Sequence, residues 1–110
     1  MNALRNKVQL IGNLGNDPQI IQLDNGKKLA KFSLATNESY RNREGQVVKD
    51  TQWHTMIAWG KIAIIIEKYL AKGNEIAVEG KLTNRSWDDS DGKRHYVTEV
   101  IINELLMLGK

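Results

Sequence analysis

Most of this sequence alternates apolar and polar residues two by two, and the period changes in one place only. From Lys61 to Lys72 the apolar residues fall at Ile62, Ile65, Ile66, Tyr69 and Leu70, an i, i+3, i+4, i+7, i+8 stripe that predicts a helix. Gly73 sits where such a helix commonly stops. One helix set among strands constrains the fold more than any composition figure does, because each strand around it must close a core with its neighbours.

Residues 4–14 read as a long strand, with Val8, Leu10, Gly12 and Leu14 alternating against Lys7, Gln9, Ile11 and Asn13. Asn16-Asp17-Pro18 ends it, since proline has no N–H to give a ladder. Gln19 to Leu23 reads as a short strand, and Asp24-Asn25-Gly26-Lys27 as a tight hairpin turn whose Asn-Gly centre tolerates positive φ. The next strand runs from about Lys28 to Glu38, followed by a polar loop from Ser39 to Lys49 that carries Tyr40 beside Arg41 and Arg43. A strand around Trp53 and Trp59 leads into the helix. After it, Glu75 to Ser86 and Arg94 to Leu108 read as two long strands joined by the aspartate-rich hairpin 87–93.

If the short segment before the Asn-Gly turn is counted with the strand it leads into, the order is three strands, a helix and two strands. That order predicts an all-β chain with one helix: the OB-fold, a five-stranded Greek-key barrel with its helix between the third and fourth strands. Such barrels bind oligonucleotides or oligosaccharides on the face of their second and third strands and the loops around it. At 110 residues the chain fits one domain, 1–110, with its core at about 4–108. There is no cysteine, which removes disulfides and cysteine-based zinc sites and suits a cytoplasmic location. No apolar run approaches the length of a membrane span, and the N-terminus has no signal pattern.

Function is carried by the aromatics. Trp53 and Trp59 stand six residues apart in one extended segment, so both rings project from the same face, roughly 20 Å apart. Flat rings on a polar, basic surface suit the stacking of unpaired bases, since every base offers a π-face. Core or subunit contact is the other placement open to the two indoles, and spacing alone does not choose between them. Tyr40 at the base of the loop and Trp87 at the last hairpin fall where an OB barrel meets extended ligands. The formal net charge is +3, compatible with a polyanion. Arg41, Arg43, Lys61, Lys72 and Arg85, beside the aromatic positions, and Lys7 are candidate phosphate contacts, although a solvated face is the ordinary fate of any one of them.

A catalytic reading has little support. His54 and His95 stand on different strands without metal-ligand spacing, and Asp88, Asp89 and Asp91 lack a calcium-loop pattern and fit turn chemistry. Gly12 and Gly15 are not followed by a helix, so they form no phosphate loop. No enzyme, metal or cofactor is expected.

Six ordered blocks are more specific than any single feature. Asn6 to Pro18, Leu34 to Tyr40, Gln52 to Lys61, Tyr69 to Gly73, Val78 to Leu82 and Tyr96 to Val100 together resemble the bacterial single-stranded DNA-binding protein family across residues 4–108. The resemblance implies an OB-fold homotetramer that wraps single-stranded DNA without strong sequence preference in replication, recombination and repair. It implies base stacking by Tyr40, Trp53, Trp59 and Trp87, and a subunit-contact role for His54. Tyr40 stands where tryptophan is common in the family and Trp59 where phenylalanine is common. Members usually continue into a flexible tail with an acidic tip that recruits genome-maintenance proteins, whereas this chain stops at Leu108-Gly109-Lys110. A short or accessory member, such as one carried on a mobile element, or a trimmed chain fits that ending, and tail-dependent partners are not expected. Two alternatives remain at this level: an accessory protein similar to primosomal replication protein N, and an OB module for RNA or oligosaccharide.

Overall fold

The computed structural model describes residues 5–109. Its elements are β1 (Val8–Leu14), β2 (Gln19–Gln22), β3 (Lys28–Arg41), β4 (Val47–Trp59), α1 (Gly60–Tyr69), β5 (Glu75–Asp88) and β6 (Arg94–Leu108). The strands hydrogen-bond in the order β1-β5-β6-β4-β3-β2, and a further β1–β3 pairing through Asn13 and Leu14 closes the sheet. Five strands thus form the barrel predicted from the element order, with β2 a short addition to the outer edge of β3. All pairings are antiparallel except β4 with β6, the one place where the chain crosses over through the helix.

Alternation decides what faces inward. Ala30, Phe32 and Leu34 of β3, Met56 and Ala58 of β4, Ile76 and Val78 of β5, and Val100 and Ile102 of β6 meet inside, joined by Leu14. The helix plugs one mouth of the barrel with Ala63 and Ile66, and Leu70 follows them in. Of the predicted stripe, Ile62, Ile66 and Leu70 pack against or within the core, whereas Ile65 and Tyr69 are exposed. The small side chain of Ala63 lets the helix sit close, which rotates the stripe toward it.

Four element boundaries differ from the sequence reading, each for a local reason. The first strand begins at Val8 after a turn at Arg5 and Asn6, and residue 4 lies outside the described residues. The helix ends at Tyr69, before Gly73, because the next residues are drawn into bonds with the end of β1. Lys72 N–H donates to Asp17 Oδ1 and Gly73 N–H to the Leu14 carbonyl, both at 2.8 Å. The polar stretch 39–49 is mostly not a loop. β3 continues to Arg41, β4 resumes at Val47, and only 42–46 turn, closed by Asn42 Oδ1 accepting the N–H groups of Glu44 and Gln46. Likewise β5 runs to Asp88, so Trp87 is a strand residue and not part of the turn.

One irregularity matters for the surface. Glu79 pairs with Glu104 but Gly80 pairs with Ile102, so Asn103 is an extra residue in β6. A Cβ at Gly80 would collide with the carbonyl oxygen of Ile101, which explains why glycine stands at the bulge.

Candidate nucleic-acid interface

In an antiparallel ladder, directly paired residues share a face. Trp53 pairs with Ala35, Thr55 with Ser33, Ile57 with Lys31 and Trp59 with Leu29, so all of these point away from the core. The outward series continues across the parallel pair Thr55–Glu99 onto β6 and from there to β5, where Thr83 faces Glu99, Arg85 faces Val97 and Trp87 faces His95. Trp53, Trp59 and Trp87 therefore belong to one outer surface spread over β3, β4, β6 and β5. Their relative exposures of 64%, 45% and 45% leave the rings available to a ligand and remove them from the core.

Each indole is held differently. Trp53 lies against Gly15, where an added Cβ would collide with its six-membered ring, so glycine makes the seat on which the indole rests. Trp59 ends β4 and serves as the N-cap position of α1 in extended conformation, with Lys61 exposed just beyond it. Trp87 stacks on His95, with centroids 5.4 Å apart and planes 21° from parallel, while the Arg85 guanidinium lies 5.6 Å from the indole centroid.

Tyr40 is placed otherwise. It pairs with Val48, and the unbroken β3–β4 register puts it on the face of the ribbon opposite to Trp53, exposed beyond the barrel. The structure thus brings the three tryptophans onto one alternation and leaves Tyr40 on the other.

The predicted cations divide in the same way. Arg41 and Arg43 sit at the exposed tip of the β3–β4 ribbon, where Arg41 Nη1 donates to the Gly45 carbonyl at 2.9 Å. Lys61 and Lys72 are exposed at the two ends of the helical segment. Arg85 is committed: its Nε and Nη2 donate to both oxygens of Glu99 at 2.9 and 3.0 Å. Those bonds hold the Glu99 carboxyl below the ordinary glutamate value against the opposing effect of burial, and raise Arg85 in return. Lys7 is paired with Glu79 at 2.9 Å and lies beside β1 and β5, away from the tryptophans. The hydrogen bond and charge of Glu79 raise its ammonium. His54 points to the core side of β4 and meets Thr36 Oγ1 through Nε2 at 2.9 Å.

Two residues near the tryptophans escaped the sequence reading of the site: His95 is stacked on Trp87, and Glu99 is a carboxylate only 4% exposed in the middle of the surface, with the charge of Lys31 adding to its lowering. His95 was recoverable: a turn centred on Asp91-Gly92 folds residue 95 back opposite 87. Nothing local marks Glu99, whose partner is 14 residues away.

A model of the single-strand binding protein family matches residues 5–108. This chain belongs to that family. It is 44% identical over 105 residues to single-stranded DNA-binding protein 1 of Chlorobaculum tepidum, covering 94% of this chain but 65% of that relative's length. The fold superposes on an SSB of Plasmodium falciparum solved in complex with ssDNA, with a TM-score of 0.89, 37% identity and coverage of 99% of this chain and 100% of the other. It also matches a deletion mutant of the single-stranded DNA binding protein from Thermus aquaticus, with a TM-score of 0.82, 27% identity and coverage of 94% and 50%. Both neighbours carry the barrel described above. Among the described residues no helix is long and apolar enough to cross a membrane, and no cluster of three or more His, Asp or Glu could hold a metal ion.

Proposed function

We propose that this protein binds and protects single-stranded DNA without strong sequence preference, in replication, recombination and repair on the bacterial nucleoid. The observation that carries this reading is the single outward surface on which Trp53, Trp59 and Trp87 stand exposed beside cations. Unpaired bases stack on the indoles, while Arg41, Arg43, Lys61, Lys72 and the free edge of Arg85 take the phosphates and release counterions. Tyr40 acts from the opposite side of its ribbon, where DNA passing around the hairpin reaches it. Duplex DNA hides its base faces, which accounts for the preference for single strands.

The proposal extends to a homotetramer. Two features support it: among the described residues, β1 from Val8 to Gly12 pairs only on its β5 side, and Ile11 and Leu106 lie exposed across Ala77 on the outer face of β1, β5 and β6. That face holds an open concavity of about 600 Å³, and none of the tryptophans lines it. His54 belongs to this part of the proposal as a subunit contact.

The test is a titration with oligo(dT), matched RNA and duplex DNA, read by tryptophan emission and repeated over a salt series. Oligo(dT) should quench strongly and the duplex weakly, with a log–log salt slope of about −0.7 per phosphate neutralised. Equal affinity for duplex, or an affinity indifferent to salt, would refute the reading.

A further inference from the structure

Trp87 stands near the end of the two-stranded β5–β6 ribbon with 45% of its surface exposed. What steadies it is a chain of side chains. Asp89 Oδ1 accepts the N–H groups of Asp91 and Lys93, each at 2.9 Å, so the turn itself fixes the orientation of that carboxylate. Its other oxygen, Oδ2, is left aimed at His95 Nε2 at 2.7 Å. A carboxylate is an acceptor only, so Nε2 carries the hydrogen and the ring plane is set. The His95 ring then lies flat on Trp87, and Arg85, held by Glu99, approaches the same indole.

We propose that Asp89 and His95 are positioning residues for single-stranded DNA binding: the carboxylate pins the imidazole against Trp87 and so presets the indole as a stacking surface for an unpaired base. This rests on the single-stranded DNA reading above. An exposed indole free to change rotamer must be ordered each time a base lands on it, and ordering one side chain on binding costs on the order of 0.5–1.5 kcal/mol. Here the ordering is done in advance by the turn. The hydrogen bond from His95, with the backbone N–H groups behind it, holds the Asp89 carboxyl below its ordinary value, so the pin stays charged down to acidic pH. Part of Trp87 is given up to His95 and Arg85, so the incoming base stacks on the indole surface they leave open.

The experiment is a double-mutant cycle on the whole chain, read as oligo(dT) affinity. His95→Ala should weaken binding about 2- to 13-fold, the ordering cost converted to an affinity ratio. His95→Phe keeps a flat ring on Trp87 but loses the bond to Asp89, so it should recover only part of the loss. Asp89→Asn, which retains an oxygen for the turn but not the anion, should fall between the parent and His95→Ala. In a Trp87→Ala background, His95→Ala should cost almost nothing further, because His95 acts only through the indole. Additive losses from His95→Ala and Trp87→Ala would overturn the inference and make His95 an independent contact. A folded His95→Ala protein of undiminished affinity would overturn it too. Trp53→Ala separates the two levels: if it weakens binding while the His95 cycle is additive, only the pin fails. If the unmodified chain does not bind oligo(dT), the functional reading fails with it.

Discussion

Strands β5 and β6 build two outward surfaces that share a backbone and little else. Between Glu75 and Glu79, β5 turns Ala77 outward, beside Ile11 on one side and Leu106 on the other. Between Lys81 and Trp87, the same odd-numbered series on the same strand brings out Arg85 and Trp87 next to Val97 and His95. The first surface is open and centred on Ile11, Ala77 and Leu106, with Gln9, Glu79 and Glu104 around them; the second is aromatic and charged, with Arg85 steadied by the Glu99 carboxylate. On β5 the alternation runs through without a break. On β6 it is the extra residue Asn103 that exchanges even for odd numbers, so that Leu106 and His95 can both face out while Leu105 and Ile102 both pack inward. A single bulge therefore lets one pair of strands serve two chemistries.

The sharpest way to break the comparison is at the bulge. Gly80→Val puts a branched side chain against the Ile101 carbonyl and should destabilise the fold by about 3 kcal/mol, at the upper end for overpacked sites. Chemical denaturation should show a lower midpoint, and both surfaces should fail together. A variant as stable as the parent would mean that the register tolerates the Cβ and the bulge is not what couples them.

Next in size is Trp53→Ala. It should cost about 1–3 kcal/mol in oligo(dT) binding and leave the assembly mass unchanged, because the indole stands on the aromatic surface alone. Full affinity in a folded variant would move that surface's centre elsewhere. Its counterpart is Leu106→Glu, which should shift the light-scattering mass from about 50 kDa, four 12.5 kDa chains, toward the single chain. Affinity for a short oligo(dT) should stay within about 2-fold, as for distant sites without shared partners. A mass unaffected by Leu106→Glu would exclude the apolar face from assembly.

The smallest effect is on the acid side. Glu99 titrates below its ordinary value in the folded protein, so its pairing with Arg85 stabilises the fold above the unfolded glutamate value and is lost as pH falls through the lowered folded value. Thermal melts from neutral pH to about pH 3 should decline less steeply for Glu99→Gln than for the parent. Parallel curves would show that the pair contributes nothing to the acid transition.

The barrel was legible because alternation and the one change of period follow directly from burial. The positions of Trp53 and Trp59 on one face came from the same parity. Parity went unused beyond Glu38, where hydrophilic side chains from Ser39 to Arg43 suggested a loop, although a ribbon exposed on both faces needs no apolar residues to stay paired. That one misreading hid the separation of Tyr40 from Trp53. At the other hairpin, ending the strand at Ser86 hid the stacking of Trp87 on His95. The Arg85–Glu99 pair needed the register of the last hairpin, since the turn that sets residue 95 opposite 87 also sets 99 opposite 83, on the same face as Arg85.

Both hairpins extend past the core, β3–β4 to Arg41 and Val47 and β5–β6 to Asp88 and Arg94. The Cα radius of gyration of 16.2 Å exceeds the roughly 13 Å usual for a compact domain of this length. Held only by their own ladders and tip bonds, such arms open and twist at far lower free energy than the barrel does. Amide hydrogens near Arg43 and Ser90 should exchange long before those of Phe32 or Val100. A polymer laid across the molecule thus meets a stiff middle and two compliant limbs, and it can be engaged piece by piece, each limb settling on whatever stretch of chain is within reach.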